Sequence, residues 1–260
     1  MRTTFLVRTA FICFLPLFHA SGLLAQSQKT QSPLDGTGFL GAHVSFGGTL
    51  GVLDEGVIPG VNSSFDMGSP TGSGFEIGVS MSRLMPALFL STSTTAEARL
   101  FYSRNVSSTS GFGNVSGASG SDKGLLVSQT TSAVTTITGV QGRLLFDTRK
   151  MQQLTPVVQI GVTLGHVLDI RYETEYRPAE QVNIPDNGSG LPTGTVAPER
   201  RWFYAAAHIG GGGRFSLGDP ATSPAIVPEV ELVIPITSFA RSSQWISFGV
   251  RAGVGLRWPL

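Results

Sequence analysis

Between Trp245 and Trp258 the chain alternates without a break. Ile246, Phe248, Val250, Ala252, Val254, Leu256 and Trp258 fall on one side of an extended strand, and Ser247, Gly249, Arg251, Gly253, Gly255 and Arg257 on the other. Successive side chains of a strand point to opposite faces. The segment therefore has one wholly apolar face and one face of small and cationic residues. A helix would scatter both sets around its circumference. So long a split predicts a β-strand lying between two unlike environments.

The same split recurs along the chain. Leu40, Ala42, Val44 and Phe46 oppose Gly41, His43 and Ser45, and Phe75, Ile77, Val79 and Met81 oppose Glu76, Gly78, Ser80 and Ser82. Ala96, Ala98, Leu100 and Tyr102 oppose Glu97, Arg99 and Ser103, with Phe101 an exception to the pattern. Val140, Leu144 and Phe146 oppose Gln141 and Arg143. Val158 to Leu164 alternate with Gln159, Gly161 and Thr163, and Val230 to Ile236 with Glu229 and Glu231. The Ala/Gly-rich segment around Trp202 to Phe215 puts His208 and Arg214 on one parity. Eight strands are expected, at 38–47, 73–83, 94–105, 125–147, 156–173, 201–216, 225–238 and 244–258. The connections alternate between long and short, except for a short last one at 239–243. The long ones, 48–72, 106–124 and 174–200, carry the Gly, Ser, Asn and Pro. An up-and-down barrel in a membrane has long loops on one side and short turns on the other. A β-sandwich has no reason to sort its loops this way. The turn at Leu84 to Leu90 is unusually apolar.

Composition agrees with a chain that has one face in lipid. Only 13% of residues are charged, about half the usual globular share, and Gly accounts for 33 of 260. The net charge of +1 gives no electrostatic case for nucleic acid. Residues 1–25 read as a signal peptide, with Arg2 and Arg8 before an apolar core from Thr9 to Phe18 and cleavage after Gly22 or Ala25. Residues 26–36 read as a short disordered lead-in, and 37–260 as the barrel. The one cysteine, Cys13, lies in the signal core, so no disulfide is expected. No later stretch is long and apolar enough for a membrane helix, which leaves a barrel as the spanning structure.

Parity alone does not say which face is inside. A lipocalin-like soluble barrel is apolar within, and a small membrane barrel is the inverse. Glu76, Glu97, Arg99, Arg143, Arg214, Glu229, Glu231, Arg251 and Arg257 all share the Gly/Ser face, as a lumenal network of compensating charges would. The other face is nearly free of charge. It carries Phe46, Phe75, Tyr102, Phe146, Phe248 and Trp258 near strand ends, as interfacial aromatic girdles do.

The Gly-flanked strand from Gly38 to Phe46 and the terminal segment from Phe248 to Trp258 give the chain its likeness to known proteins. Over residues 37–260 it resembles the small outer-membrane β-barrel family, with its porin-like and OmpA/OmpX-type members. The resemblance implies an all-β fold, an eight-stranded antiparallel up-and-down transmembrane β-barrel. It also implies an outer-membrane address in a Gram-negative-type envelope, with both termini periplasmic and outer-membrane lipid around the barrel. Such barrels generally end on an aromatic that the insertion machinery reads; here Pro259 and Leu260 follow Trp258.

The chain carries no phosphate-binding loop, no metal-spaced His/Cys cluster and no nucleophile elbow, so no cofactor is expected. His43 and His208 share the inward parity, with Glu229 on the strand after His208, and His166 has the opposite parity. A buried His–Glu pair of this kind is ordinarily a packing contact, and no enzymatic activity is expected. A lipid-modifying barrel enzyme and a narrow channel for small solutes are the competing readings. An eight-stranded barrel is only wide enough for side chains to fill. The expected role is therefore structural or surface-binding, with an extracellular partner met through loops 48–72, 106–124 and 174–200. The last of these, together with the end of the strand before it, bears Tyr172, Tyr176, Pro178, Pro185, Pro192 and Pro198.

Overall fold

The computed structural model describes residues 38–52, 66–85, 93–115, 125–148, 153–178, 194–196, 199–219, 222–239 and 246–260. The signal-like segment with Cys13, the lead-in, residues 86–90 of the apolar turn, Pro185, Pro192, Pro198 and much of the long loops lie outside them.

Eight long strands carry the fold: β1 Gly38–Val52, β2 Thr71–Met85, β3 Ser93–Val115, β4 Leu125–Asp147, β5 Leu154–Pro178, β6 Phe203–Ser216, β7 Ala225–Pro235 and β8 Ile246–Pro259. Each pairs antiparallel with its neighbours in sequence, and β8 pairs with β1. The sheet thus closes into an up-and-down barrel. Among the described residues there is no helix. Closure leaves no strand edge unpaired over the height of the ring, which is the condition for a sheet in hydrocarbon.

The register fixes the dimensions. Direct pairing leads from Phe39 to Ser82, Glu97, Arg143, Gly161, His208, Val233 and Gly249, and returns to β1 at Thr49 rather than Phe39. That is a stagger of ten residues around eight strands. With a rise of about 3.3 Å per residue and a strand spacing of about 4.8 Å, the strands tilt by roughly 40° and the backbone radius is roughly 8 Å. Side chains fill a tube of that width.

The apolar parity faces out. Val158, Ile160, Val162 and Leu164 on β5 and Val230, Leu232 and Ile234 on β7 are all exposed. A continuous belt of exposed aliphatic side chains suits hydrocarbon and not water. Aromatics bracket it. Trp258, Phe146 and Phe215 mark the short-turn end, and Phe46, Phe75, Tyr102, Phe248 and Phe203 the other. Phe75 and Tyr102 pack at 6.2 Å between ring centroids. Phe248 and Trp258 stand ten residues apart on β8, about 25 Å along the axis at this tilt, the height of a lipid-facing band.

Strand lengths depart from the sequence expectation by two residues or fewer at the short-turn end and by more at the other. β3 and β4 run 23 residues and β5 runs 25, against 11 for β7. Residues 106–115 and 174–178, expected in loops, continue β3 and β5, and 48–52 continue β1. β7 stops at Pro235 instead of 238, because residues 236–239 turn over the barrel mouth. Three neighbouring strands thus form a wall rising about 30 Å above the upper aromatics. Asp66–Met67 adds to the β3 edge of the wall and Gly194–Val196 to the β5 edge. A bulge against Thr136 and Ile137 places one extra residue, Leu168, in β5 at the foot of the wall. It reverses the facing of every β5 residue above it.

Lumenal glycines make room for the long side chains. Gly41 is opposite Arg257, Gly47 opposite Arg251 and Gly161 opposite Arg143. Gly78 leaves no room for a side chain, since a Cβ there would overlap the carbonyl oxygen of Leu100 and the ring of His43. Gly142 has nothing within 4 Å of such a Cβ. We expect Gly78→Val to abolish the compact species that migrates faster before boiling than after on a denaturing gel, and Gly142→Ala to retain it. Equal migration of the two variants would contradict this packing.

Candidate functional site: a filled lumen beneath a raised wall

All nine charged residues of the inward parity lie inside the barrel. Eight are buried, and Arg251 has a side chain 14% exposed. A tenth joins them. Asp147, two residues past Leu145 on the same parity, is buried and accepts from Arg214 Nη2 at 2.7 Å and from the Ser93 hydroxyl. With it, the lumen balances five carboxylates against five guanidiniums among the described residues. Extending the alternation of β4 to the end of the strand would have found it.

The pairs stack along the axis. Asp147–Arg214 lies near the short-turn end. Above it Glu97 accepts from Arg257 at 2.5 Å and from Arg143 at 3.3 Å, with Arg99 at 3.0 Å. Glu229 accepts from both terminal guanidinium nitrogens of Arg99, at 2.8 and 3.4 Å, and from both of Arg143, at 3.3 and 2.8 Å. Arg143 also donates to Gln159. Higher still, Glu76 accepts from Arg251 and from Gln141 Nε2 at 3.2 Å. Taking such charges out of water costs several kcal/mol each, which only multiple well-placed counter-charges offset. Sharing Glu76, Glu97 and Glu229 each among several donors meets that need, while Glu231 is met at longer range by Arg143 at 3.8 Å.

The histidines join this scaffold. His43 Nε2 lies 3.3 Å from Glu76 Oε1. His208 meets the Thr163 hydroxyl through Nε2 and Glu231, rather than Glu229, through Nδ1 at 3.6 Å. Hydroxyl, imidazole and carboxylate stand here in the order of a hydrolytic triad. However, the Nδ1–carboxylate distance exceeds a hydrogen bond, all three residues are buried, and none lines the barrel's outward cavity. The three side chains lie beside the ion-pair network, with Arg143 Nη2 3.8 Å from Glu231 Oε2. His166 lies on the outer face, where Nδ1 donates to the Trp202 carbonyl at 2.6 Å.

Above the charges the lumen turns apolar. Phe101, Ile137, Val167, Ile170, Tyr172, Tyr204, Val233 and Phe239 form one buried cluster with Ala133 and Ala206. Phe101, the exception in the β3 pattern, points inward into it. Tyr172, grouped by sequence with the outer loop 174–200 for binding a partner, is fully buried because the bulge at Leu168 turns it inward. Tyr176 and Pro178 are also on β5. Phe239 belongs to the segment after β7 and stacks on Tyr204 with centroids 5.0 Å apart. Beside the cluster a cavity of about 30 Å³ opens outward, with Arg251 among its lining residues. It has room for about two waters.

Of the six girdle aromatics expected from sequence, Phe46, Tyr102, Phe248 and Trp258 are exposed on the outer face, and Phe75 and Phe146 are half-buried there. The fold and surface together define a small transmembrane β-barrel protein.

The chain matches no known protein family and no curated relative. Among solved structures it is similar to Ail, the attachment invasion locus protein of Yersinia pestis, in complex with the heparin analogue sucrose octasulfate. That match has 10% identity and a TM-score of 0.30 over 86% of this chain and 99% of that one. It is also similar to the transport unit of the autotransporter AIDA-I from Escherichia coli, with 10% identity and a TM-score of 0.27 over 93% and 97% of the two chains.

Removing one member of the network strands its partners. Glu97→Gln leaves three arginines short of a charge and should destabilise the folded barrel by about 3–5 kcal/mol. The midpoint of urea unfolding in lipid vesicles measures it. Asp147→Leu combined with Arg214→Met should cost less than the two single changes added together, because neither charge is then left alone. Strict additivity would show that the two side chains do not interact.

Proposed function

We propose that the protein is an integral outer-membrane barrel of a Gram-negative-type envelope that passes no solutes and works through its outer surface. The observation that carries this reading is the filled lumen. A charge-neutral ion-pair stack occupies its lower half and an apolar cluster capped by Phe239 closes its upper half. In this reading residues 1–25 direct export, and the segment ending at Trp258 is what the insertion machinery engages. The short turns and both termini face the periplasm, and the tall wall stands on the outside. The protein is then a structural or surface-binding barrel and not an enzyme. The wall of β3, β4 and β5, with the loops beside it, is where a partner docks, since function in such folds resides in what the scaffold displays.

Two measurements test the reading. The protein should appear in the outer-membrane fraction and shift on a gel after boiling; soluble expression without a shift overturns the membrane assignment. Reconstituted in planar bilayers, it should show no steady single-channel openings. Steady openings would replace the closed-lumen reading with that of a narrow channel.

A further inference from the structure

Among the described residues, the outside of the barrel gathers cations in one sector just above the upper aromatics. Arg104 is exposed two residues above Tyr102. It pairs across to Thr136 of β4, which pairs with Asp169 of β5. Arg171 has a side chain 58% exposed, with Nε 2.8 Å from Asp169. Arg200 donates to the carbonyl of Leu168, which sets its guanidinium against β5, and exposed Arg201 and Trp202 follow. Four guanidiniums here stand against two carboxylates, Asp169 and Glu199. At the same level the described residues of β7, β8, β1 and β2 and the turn after β7 present Ile236, Phe248, Leu50 and Phe75, without charge.

Beyond the row in which Val106 and Val134 pair beside Arg171, the same outer face turns to hydroxyls. Ser108 is opposite Ser132, and Ser110 opposite Thr130. On β5 these rows meet Glu173 and Glu175, the latter paired with Arg177 at 2.9 Å. The excess positive charge is thus confined to the first rows above the lipid-facing band. These side chains point sideways from the wall, into the headgroup layer of the surrounding leaflet. Guanidiniums in that layer suit phosphate. A hydroxyl grid with spaced carboxylates directly above suits the hydroxyls of a sugar.

We propose that this sector of β3–β5 binds the headgroup of a phosphorylated glycolipid of the outer leaflet. Arg104, Arg171 and Arg200 hold the phosphate, and the Ser108–Ser132 row contacts the sugar. The proposal rests on the outer-membrane reading and specifies which lipid the barrel selects and where. The test uses the full chain folded in detergent micelles, with bound lipid read by native mass spectrometry. The probes are rough lipopolysaccharide, the same lipid after phosphatase treatment, phosphatidylglycerol, and inorganic phosphate as competitor. Wild type should retain the intact glycolipid in preference to both other lipids. Arg104→Gln, Arg171→Gln and Arg200→Gln combined should weaken retention on the order of tenfold to a hundredfold. Arg83→Gln, on β2 near the short-turn end, should leave it unchanged. Ser108→Val with Ser132→Val should reduce the preference over phosphatidylglycerol. Each variant is first shown to shift on boiling, and Arg104→Gln alone replaces the triple change if the latter does not fold. Equal retention of all lipids, or of wild type and the arginine variant, overturns the proposal. Displacement by millimolar phosphate overturns it in favour of a free-anion site. Failure of wild type to fold in a membrane mimetic defeats the outer-membrane reading instead.

Discussion

A polar backbone in hydrocarbon has no water to turn to, so each amide and carbonyl must find its partner within the sheet. The pairing of β1 with β8 makes that possible, and much else in the molecule follows from it. Closing eight strands with a stagger of ten residues sets the tilt and the radius together. The radius leaves a tube too narrow to be a water-filled pore and too wide to be empty. The lumen has to be packed. Because the outside already uses the apolar parity of the strands, the packing falls largely to residues of the polar parity.

That requirement accounts for the chemistry of the lower lumen. Charges placed there are shut away from solvent, and they are tolerable only when matched and multiply bonded. The described residues supply five acids and five arginines, with glycines across from Arg143, Arg251 and Arg257 where those long side chains lie flat. Higher up, where the strands approach the outer surface, a different solution appears. The bulge at Leu168 turns Ile170 and Tyr172 inward, and Phe239 folds back from the segment after β7. Ion pairs below and aromatic packing above fill the same tube by unrelated means.

The outside is asymmetric in a way the closed ring does not require. β3, β4 and β5 continue far beyond the height at which the barrel is complete, while β6, β7 and β8 stop near it. Over the lipid-facing height the outward residues are aliphatic. Above it, on the wall alone, they become arginine, serine, threonine and glutamate, with Val106 and Phe112 exposed among them. The three strands therefore serve first as staves of the barrel and then as a sheet with a solvated face of its own.

Much of this was legible in the sequence. The split in Trp245–Trp258 and its seven counterparts identify eight strands, the apolar outer face, and the common facing of Glu76 and Arg251 or of Arg99 and Glu229. Alternation is a property of the extended backbone itself, so it survives without any knowledge of neighbours. Which of those charges touch was not legible. Arg251 meets Glu76 from 175 positions away and Arg99 meets Glu229 from 130, because ring closure and stagger bring them together. The inward turn of Tyr172 was not legible, because a single extra residue at the bulge reverses parity without leaving a mark in the pattern. Phe239 was missed because it belongs to no strand. The sequence alone determined the number of strands and which side of each faces lipid. Only the tertiary structure decided the partners in the lumen, the packing above them and the height of the wall, since these depend on register between strands, which no local pattern encodes.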